Sequence, residues 1–386
     1  GDHRYLHSFP TRRSSDLLAP DAYVARIKPD GTAMEWSLFI GGSGRETVHG
    51  LRRDHLGNLY LLGGTASPNF PVTAGAFRSR IHPALGDLFL VKLDAATGHI
   101  LASTFLGVPQ GMFPADEGVH LAVDPDGGAY VAGALQPGSF VTTPGVVKPA
   151  PDVRDAKPCF AMRMAPSLGA LVYSTYLGFG SVQDIEVDRA GNLLIGGGQA
   201  GCAACGAPFP AVSPITGVNQ TPLFAQAYVA RLNATGTAVS FASLIHGDGR
   251  NSTISDLHLG NDGAVHLTGY SDGDRFPLRT PLDIGVPSTT PRPEDPMPFH
   301  AKLSAGGQTL VQATLFYGPE YNTAPMLSAP APLRVTTLPD GTPCLFNLGS
   351  ARFQQSAGAL NGDEVAGGTV ACLNNSQTGL GMKTQL

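Results

Sequence analysis

One unit of about 70 residues repeats along the chain. An alternating strand ending in a base, a short turn and a second strand appear as AYVARIKPDGTAMEWSLFIGG from Ala22, LFLVKLDAATGHILASTFLG from Leu88 and CFAMRMAPSLGALVYSTYLG from Cys159. They return as AYVARLNATGTAVSFASLIHG from Ala227 and FHAKLSAGGQTLVQATLFYG from Phe299, with a degenerate copy, TVACLNNSQTGLGMKTQL, from Thr369. The anchors Arg26, Lys92, Arg163, Arg231, Lys302 and Cys372 stand 66, 71, 68, 71 and 70 residues apart. A chain of 386 residues built this way folds as copies of one unit, so a length-based count of two or three domains does not apply.

A second pattern lies between the anchors: LRRDHLGNLYLLGG from Leu51, LAVDPDGGAYVAG from Leu121, IEVDRAGNLLIGG from Ile185, LHLGNDGAVHLTG from Leu257 and VTTLPDGTPCLFN from Val335. Gly57, Gly127, Gly191, Gly263 and Gly341 hold one offset in its turn, and Asp/Asn-Gly turns between β-rich runs are hairpin signals. Each period therefore contains two hairpins, named A–B and C–D. Four antiparallel strands per repeat without helical periodicity predict an all-β chain of propeller blades, each burying its faces against its neighbours. The count is one C–D half-blade, four full blades and a fifth ending in GLGMKTQL, about five and a half in all. An intact ring of six to eight blades is expected, and here an incomplete ring or strained closure with an exposed edge. On strand A the positions of Leu51, Leu121, Ile185 and Leu257 are expected to face the core. The B–C connections are long and carry FPVTAGAF from Phe70, FVTTPGVV from Phe140, FPAVSPI from Phe209, FPLRTPL from Phe276 and FQQSAGAL from Phe353; a buried phenylalanine is expected to pin each loop to its blade.

These elements, in this order, resemble the SBBP-type bacterial β-propeller repeat, whose consensus looks like DAFVAKL…LVYSTYLGG…IAVDxxGNAYVTG…FPTTPGAF. The resemblance covers nearly everything after Leu17. It implies an exported or cell-surface bacterial protein, and because the repeat is defined by structural residues it transfers no catalytic residue. The chain departs from it at Leu338, where Asp54, Asp124 and Asp188 stand in other copies, and at Cys372, which replaces the base.

Residues 1–17, GDHRYLHSFPTRRSSDL, differ only at Tyr5 from the forward translation of a common sequencing adapter, and are read as a non-native, disordered segment ahead of a single propeller domain spanning 18–386. Setting them aside moves the net charge from −5 to −6. With 14% charged and 42% hydrophobic residues the chain can bury a core. The acidity and lack of a basic tract argue against nucleic acid, and no apolar run approaches the ~18 residues of a spanning helix.

Chemistry, if any, is expected on strand A. Its polar positions bring His120, Asp184, Glu186, Asp256 and His258 toward one region, a set of the type that binds metal or performs acid–base work; the structural alternative is that they line a channel or satisfy one another between blades. Asp272 and Asp274 in the SDGD run offer oxygen ligands for calcium, against a solvated acidic turn. Cys202 and Cys205 form a CxxC without a second pair or a histidine at zinc spacing. In an exported protein disulfides are the favoured reading: Cys344 and Cys372 are candidate neighbours in one blade and Cys159 a candidate partner of Cys202 or Cys205, but five cysteines leave one over and no pairing is fixed. No cofactor is implied. The leading functional expectation is a non-catalytic binding scaffold for a protein or polysaccharide, with the B–C loops as its variable face. The alternatives are an extracellular carbohydrate-active hydrolase or lyase using the strand-A set, and a structural spacer of a larger surface protein.

Overall fold

The computed structural model describes residues 20–82, 86–108, 118–134, 140–151, 158–199, 211–221, 226–249, 251–272, 275–281, 297–316, 333–346, 369–373 and 380–385. No α-helix occurs among them. They form two compact units, the first holding residues up to 108 with Phe140 and Pro166–Ala170, the second the remainder.

In the first unit β1 (Ala22–Ile27) and β2 (Met34–Ile40) make a two-stranded sheet, and β3 (Glu46–Arg53), β4 (Asn58–Thr65), β5 (Asp87–Asp94) and β6 (Ile100–Phe105) a four-stranded one in sequential order. The second unit holds four more such sheets. They are β7 (His120–Val123), β8 (Ala129–Ala134), β9 (Pro158–Met164) and β10 (Leu171–Phe179), then β11 (Ser181–Val187), β12 (Leu193–Gln199), β13 (Gln226–Leu232) and β14 (Val239–Leu244). After them come β15 (Ser252–Leu259), β16 (Val265–Ser271), β17 (Met297–Leu303) and β18 (Leu310–Leu315), and finally β19 (Arg334–Thr337), β20 (Pro343–Phe346), β21 (Thr369–Leu373) and β22 (Leu380–Gln385). Every pairing is antiparallel. The sheets are propeller-type blades, five complete and one of two strands, divided as the repeat predicts.

The A–B turn closes through its aspartate. Asp54 Oδ1 accepts the Asn58 N–H at 2.7 Å, Asp124 that of Gly128 at 2.7 Å and Asp188 that of Asn192 at 2.9 Å. At Asp124 the same carboxylate accepts Arg163 at 2.7 Å and the Tyr130 hydroxyl at 3.1 Å, with the guanidinium 5.1 Å from the Tyr130 ring. Arg163 then donates onward to Ala234 O, in the C–D turn of the next blade, at 3.1 Å. The first unit repeats this: Arg26 donates to Ala95 O at 2.8 Å and Lys92 to Pro166 O at 3.3 Å. At Arg26, Lys92 and Arg163 the periodic base is thus a latch from one repeat to the following C–D turn, whereas Arg231 and Lys302 lie beside Asp188 and Asp262 of their own blades.

The B–C loops supply a second latch. The Phe77 N–H donates to Leu168 O, Val147 to Gly236 O and Thr216 to Gln308 O, each carbonyl in the next C–D turn. The same loops lie along the outer edge of strand D, where Thr73 pairs with Ser103, Thr143 with Ser174, Val212 with Ala242 and Arg279 with Ala313. Covering this edge removes a row of backbone groups that would otherwise template association. Phe70 is buried with its ring 4.4 Å from Phe89, and Phe276 lies 4.9 Å from Phe299, so these two phenylalanines pin their loops as expected. Phe140 is half-buried, while Phe209 and Phe353 lie outside the described residues.

The fifth blade replaces the polar cluster with a covalent bond. Cys344 faces Cys372 across β20 and β21, the register position of Tyr60–Lys92, Tyr130–Arg163, Leu194–Arg231 and His266–Lys302, and the two sulfurs form a disulfide. The Leu338 and Cys372 departures are therefore linked. With Leu338 at the position of Asp54, Asp124 and Asp188 and no base on strand C, a disulfide spanning 28 residues joins strands B and C. Cys159 Sγ lies 3.2 Å from Gly180 O; Cys202 and Cys205 lie outside the described residues. One expectation fails: Leu51 is exposed rather than in the core, although its counterparts Leu121, Ile185 and Leu257 are buried. Reducing the Cys344–Cys372 bond, or changing Cys344→Ala with Cys372→Ala, is predicted to destabilise the fold by about 2–4 kcal/mol. Denaturant unfolding with and without a phosphine reductant measures this, and the double variant becomes insensitive at this pair.

Candidate functional site

Strand A bends where its polar residues begin. In β3, β11 and β15 the register with strand B shifts at the same place, between Val48 and Gly50, Val182 and Asp184, and Ile254 and Asp256. A β-bulge re-aims the side chains beside it. Here it precedes Asp184 and Asp256, both buried.

Each carboxylate reaches the backbone of the following strand A. Asp184 Oδ2 accepts the Leu257 N–H at 3.1 Å, Glu186 Oε2 that of Leu259 at 2.6 Å, and Asp256 Oδ2 that of Val335 at 2.7 Å. Arg334 Nη1 donates to Asp256 Oδ1 at 2.6 Å. His258 Nδ1 lies 3.1 Å from Glu186 Oε1, and its Nε2 lies 3.0 Å from Thr337 Oγ1. With Nδ1–H donated to Glu186, Nε2 accepts the Thr337 hydroxyl; when the ring is charged it donates to that oxygen instead. Four of the five strand-A candidates thus share one network across β11, β15 and β19. His120 stands on β7, the strand packed beside β11. Arg334, at the polar strand-A repeat position of His120, Asp184 and Asp256, joins the network, as does Thr337, which stands one residue outside that series.

Burial, with the Asp256 charge beside it, pushes Asp184 up from 3.8 to about 7. Burial likewise raises Asp256, against the Val335 N–H and Arg334, which favour its charged form. The bond to Glu186 raises His258 although burial opposes it. Nearby, His266 and His300 are buried with Nδ1 and Nε2 3.1 Å apart, and desolvation holds both well below the usual histidine range. They stay neutral at pH 7.

Asp272, named above for calcium, is buried and accepts the Asn251 backbone N–H at 2.7 Å and its side-chain amide at 3.3 Å, while Asp274 lies outside the described residues. Among the described residues no group of three or more His, Cys, Asp or Glu is placed to hold a metal ion. The strand-A arrangement fixes neighbouring blades to one another and holds one line, Glu186–His258–Thr337, in the order carboxylate, imidazole, hydroxyl.

No family model matches the chain, and no curated protein matches it. Among solved structures it is similar to U3-55K, at 10% identity and a TM-score of 0.47, covering 95% of this chain and 76% of that one. It is also similar to the Hadza microbial sialidase Hz136, at 11% identity and 0.39, covering 88% and 58%. A NanB sialidase from Streptococcus pneumoniae matches at 8% and 0.44, covering 87% and 60%. The chain spans about three fifths of those sialidase chains, and no residue role is carried over from them.

The titration of Asp184 fixes a sign. A carboxyl raised on folding contributes stability fully below its unfolded value of 3.8 and loses it as pH rises toward 7. Asp184→Asn keeps the acceptor for Leu257 N–H and removes the titration. Between pH 4 and pH 7 the stability of the unaltered protein is predicted to fall relative to this variant by at least about 1 kcal/mol. Parallel stability curves from denaturant unfolding across that range would contradict this.

Proposed function

We propose that this chain is an exported or cell-surface bacterial propeller of the SBBP type that acts as a non-catalytic binding scaffold for a protein or polysaccharide. The observation that carries the reading is the use of the strand-A polar groups: Asp184, Glu186 and Asp256 each accept a backbone N–H of the next blade, a structural role that accounts for their placement. The Cys344–Cys372 disulfide supports an oxidising compartment, and no helix among the described residues is long and apolar enough to cross a membrane. The motif halves of the B–C loops strap strand D, so recognition belongs to the segments between each motif and the following strand C, which differ in sequence and length.

The hydrolase reading keeps one observation in its favour, the Glu186–His258–Thr337 line, which has the order that activates a hydroxyl nucleophile. Incubation with a panel of extracellular polysaccharides and aryl esters separates the two. The scaffold reading predicts no product above a heat-inactivated control and glycan or protein binding unchanged in His258→Ala. Turnover abolished by both His258→Ala and Thr337→Ala would establish the hydrolase instead.

A further inference from the structure

The repeat provides its own controls for the two-stranded sheet. Tyr23 is 46% exposed, Ile27 59% and Phe39 60%, yet their counterparts in the next four blades are at most 6% exposed: Phe89, Leu93 and Phe105 in the first of these, Phe299, Leu303 and Leu315 in the last. On β3, Val48 and Leu51 are each 45% exposed, whereas Ile254 and Leu257, which match them on β15, are buried. Sequence type does not explain the contrast, because apolar residues stand at every one of these positions.

What covers the counterparts is known within this chain. Phe89 and Phe105 are covered by Phe70 and Phe299 by Phe276, each from the B–C loop of the same blade. Ile254 and Leu257 seat on strand B of the preceding blade at Gly196, where an added Cβ would come within 2.9 and 2.6 Å of them. The inner edge of β5 pairs along its length with β4, while β1 pairs with β2 alone among the described strands. Tyr23 and Phe39 form a ring pair at 4.9 Å with no loop phenylalanine described over it. Open edge, exposed ring pair and exposed strand-A residues all call for the same element.

We infer that the exposed face of β1–β2, with the inner edge of β1 and Val48 and Leu51 of β3, is the seat of a further A–B β-hairpin and its loop phenylalanine, carried on the same polypeptide ahead of β1. The connection argues for the same chain: Phe70 precedes Phe89 by 19 residues, and Phe276 precedes Phe299 by 23, so the covering ring arrives on the segment that runs directly into strand C. Strand pairing supplies the backbone bonds, and side-chain pockets fix the register.

The test grafts a copy of residues 46–86 ahead of Asp21 in place of residues 1–20, since Asp21 and Asp87 hold the same repeat position, five residues before Arg26 and Lys92. Hydrogen exchange of the β1 amides is compared with that of the chain of residues 18–386. The expected result is exchange at least about 100-fold slower in the graft, largely lost when the grafted copy carries Phe70→Ser. A peptide of residues 46–77 added in trans gives a second readout, slowing the same amides at high peptide concentration. A graft with β-sheet circular dichroism and cooperative melting whose β1 amides exchange at the ungrafted rate, with no effect of the peptide, would overturn the inference. So would an ungrafted chain that sediments as a dimer with β1 already protected, which would make a second copy the occupant.

Discussion

A four-stranded sheet of this size has two apolar faces and cannot bury both by itself, so the fold depends on how each blade holds the next. In this chain apolar packing between blades, as of Ile254 and Leu257 on Gly196, is joined by backbone capture. Side chains and loops of one repeat bond to main-chain groups of the following one: Arg26, Lys92 and Arg163 to carbonyls in the next C–D turn, and Asp184, Glu186 and Asp256 to amides of the next strand A. Hydrogen bonds to charged groups contribute about 1.5–3 kcal/mol each, and capturing backbone leaves the recipient side chain free to vary. The repeats can therefore diverge in sequence and still dock.

The C–D turn has to admit this contact. Gly236 has φ of +71°, and a Cβ there would meet the Tyr173 ring at 2.5 Å; Gly307 has φ of +80° and would meet Phe241 at 2.1 Å. Both turns press against strand D of the preceding blade, so glycine is required by close approach as well as by conformation. In the fifth blade the cluster of turn carboxylate, aromatic ring and base has given way as a whole to Leu338, Cys344 and Cys372. One register position thus carries a cation–π pair in one blade and a disulfide in another.

The hairpins, their order and the half-blade at the start were legible because a fixed period of turn glycines and anchor bases marks them. The proximity of Cys344 to Cys372 was legible for the same reason, since both occupy repeat positions that face each other. The destinations of the bases were not: Arg163 meets a carbonyl 71 residues away, and a backbone acceptor leaves no signature in sequence. Strand A was misread at Leu51 because its burial depends on the sheet beside it, which the period of its own strand does not report. Arg334 fell in the polar series of strand A, but Thr337 was missed because it stands at the alternate position that other copies fill with Val123, Val187 and Leu259, and the bulges that aim Asp184 and Asp256 follow no residue pattern.

The Glu186–His258–Thr337 line and the raised carboxyl of Asp184 belong to this same system of captures, which gives these ionisable groups a structural role. Capture between blades is the central claim, and native-state hydrogen exchange on Arg163→Met tests it most directly. The account predicts that protection falls in the next C–D turn, at Thr237 and Ala238, whose amides close on Asn233, while the β8–β9 ladder around Arg163 keeps its protection. Loss confined to β8 and β9, with the Asn233–Ala238 turn unchanged, would contradict it.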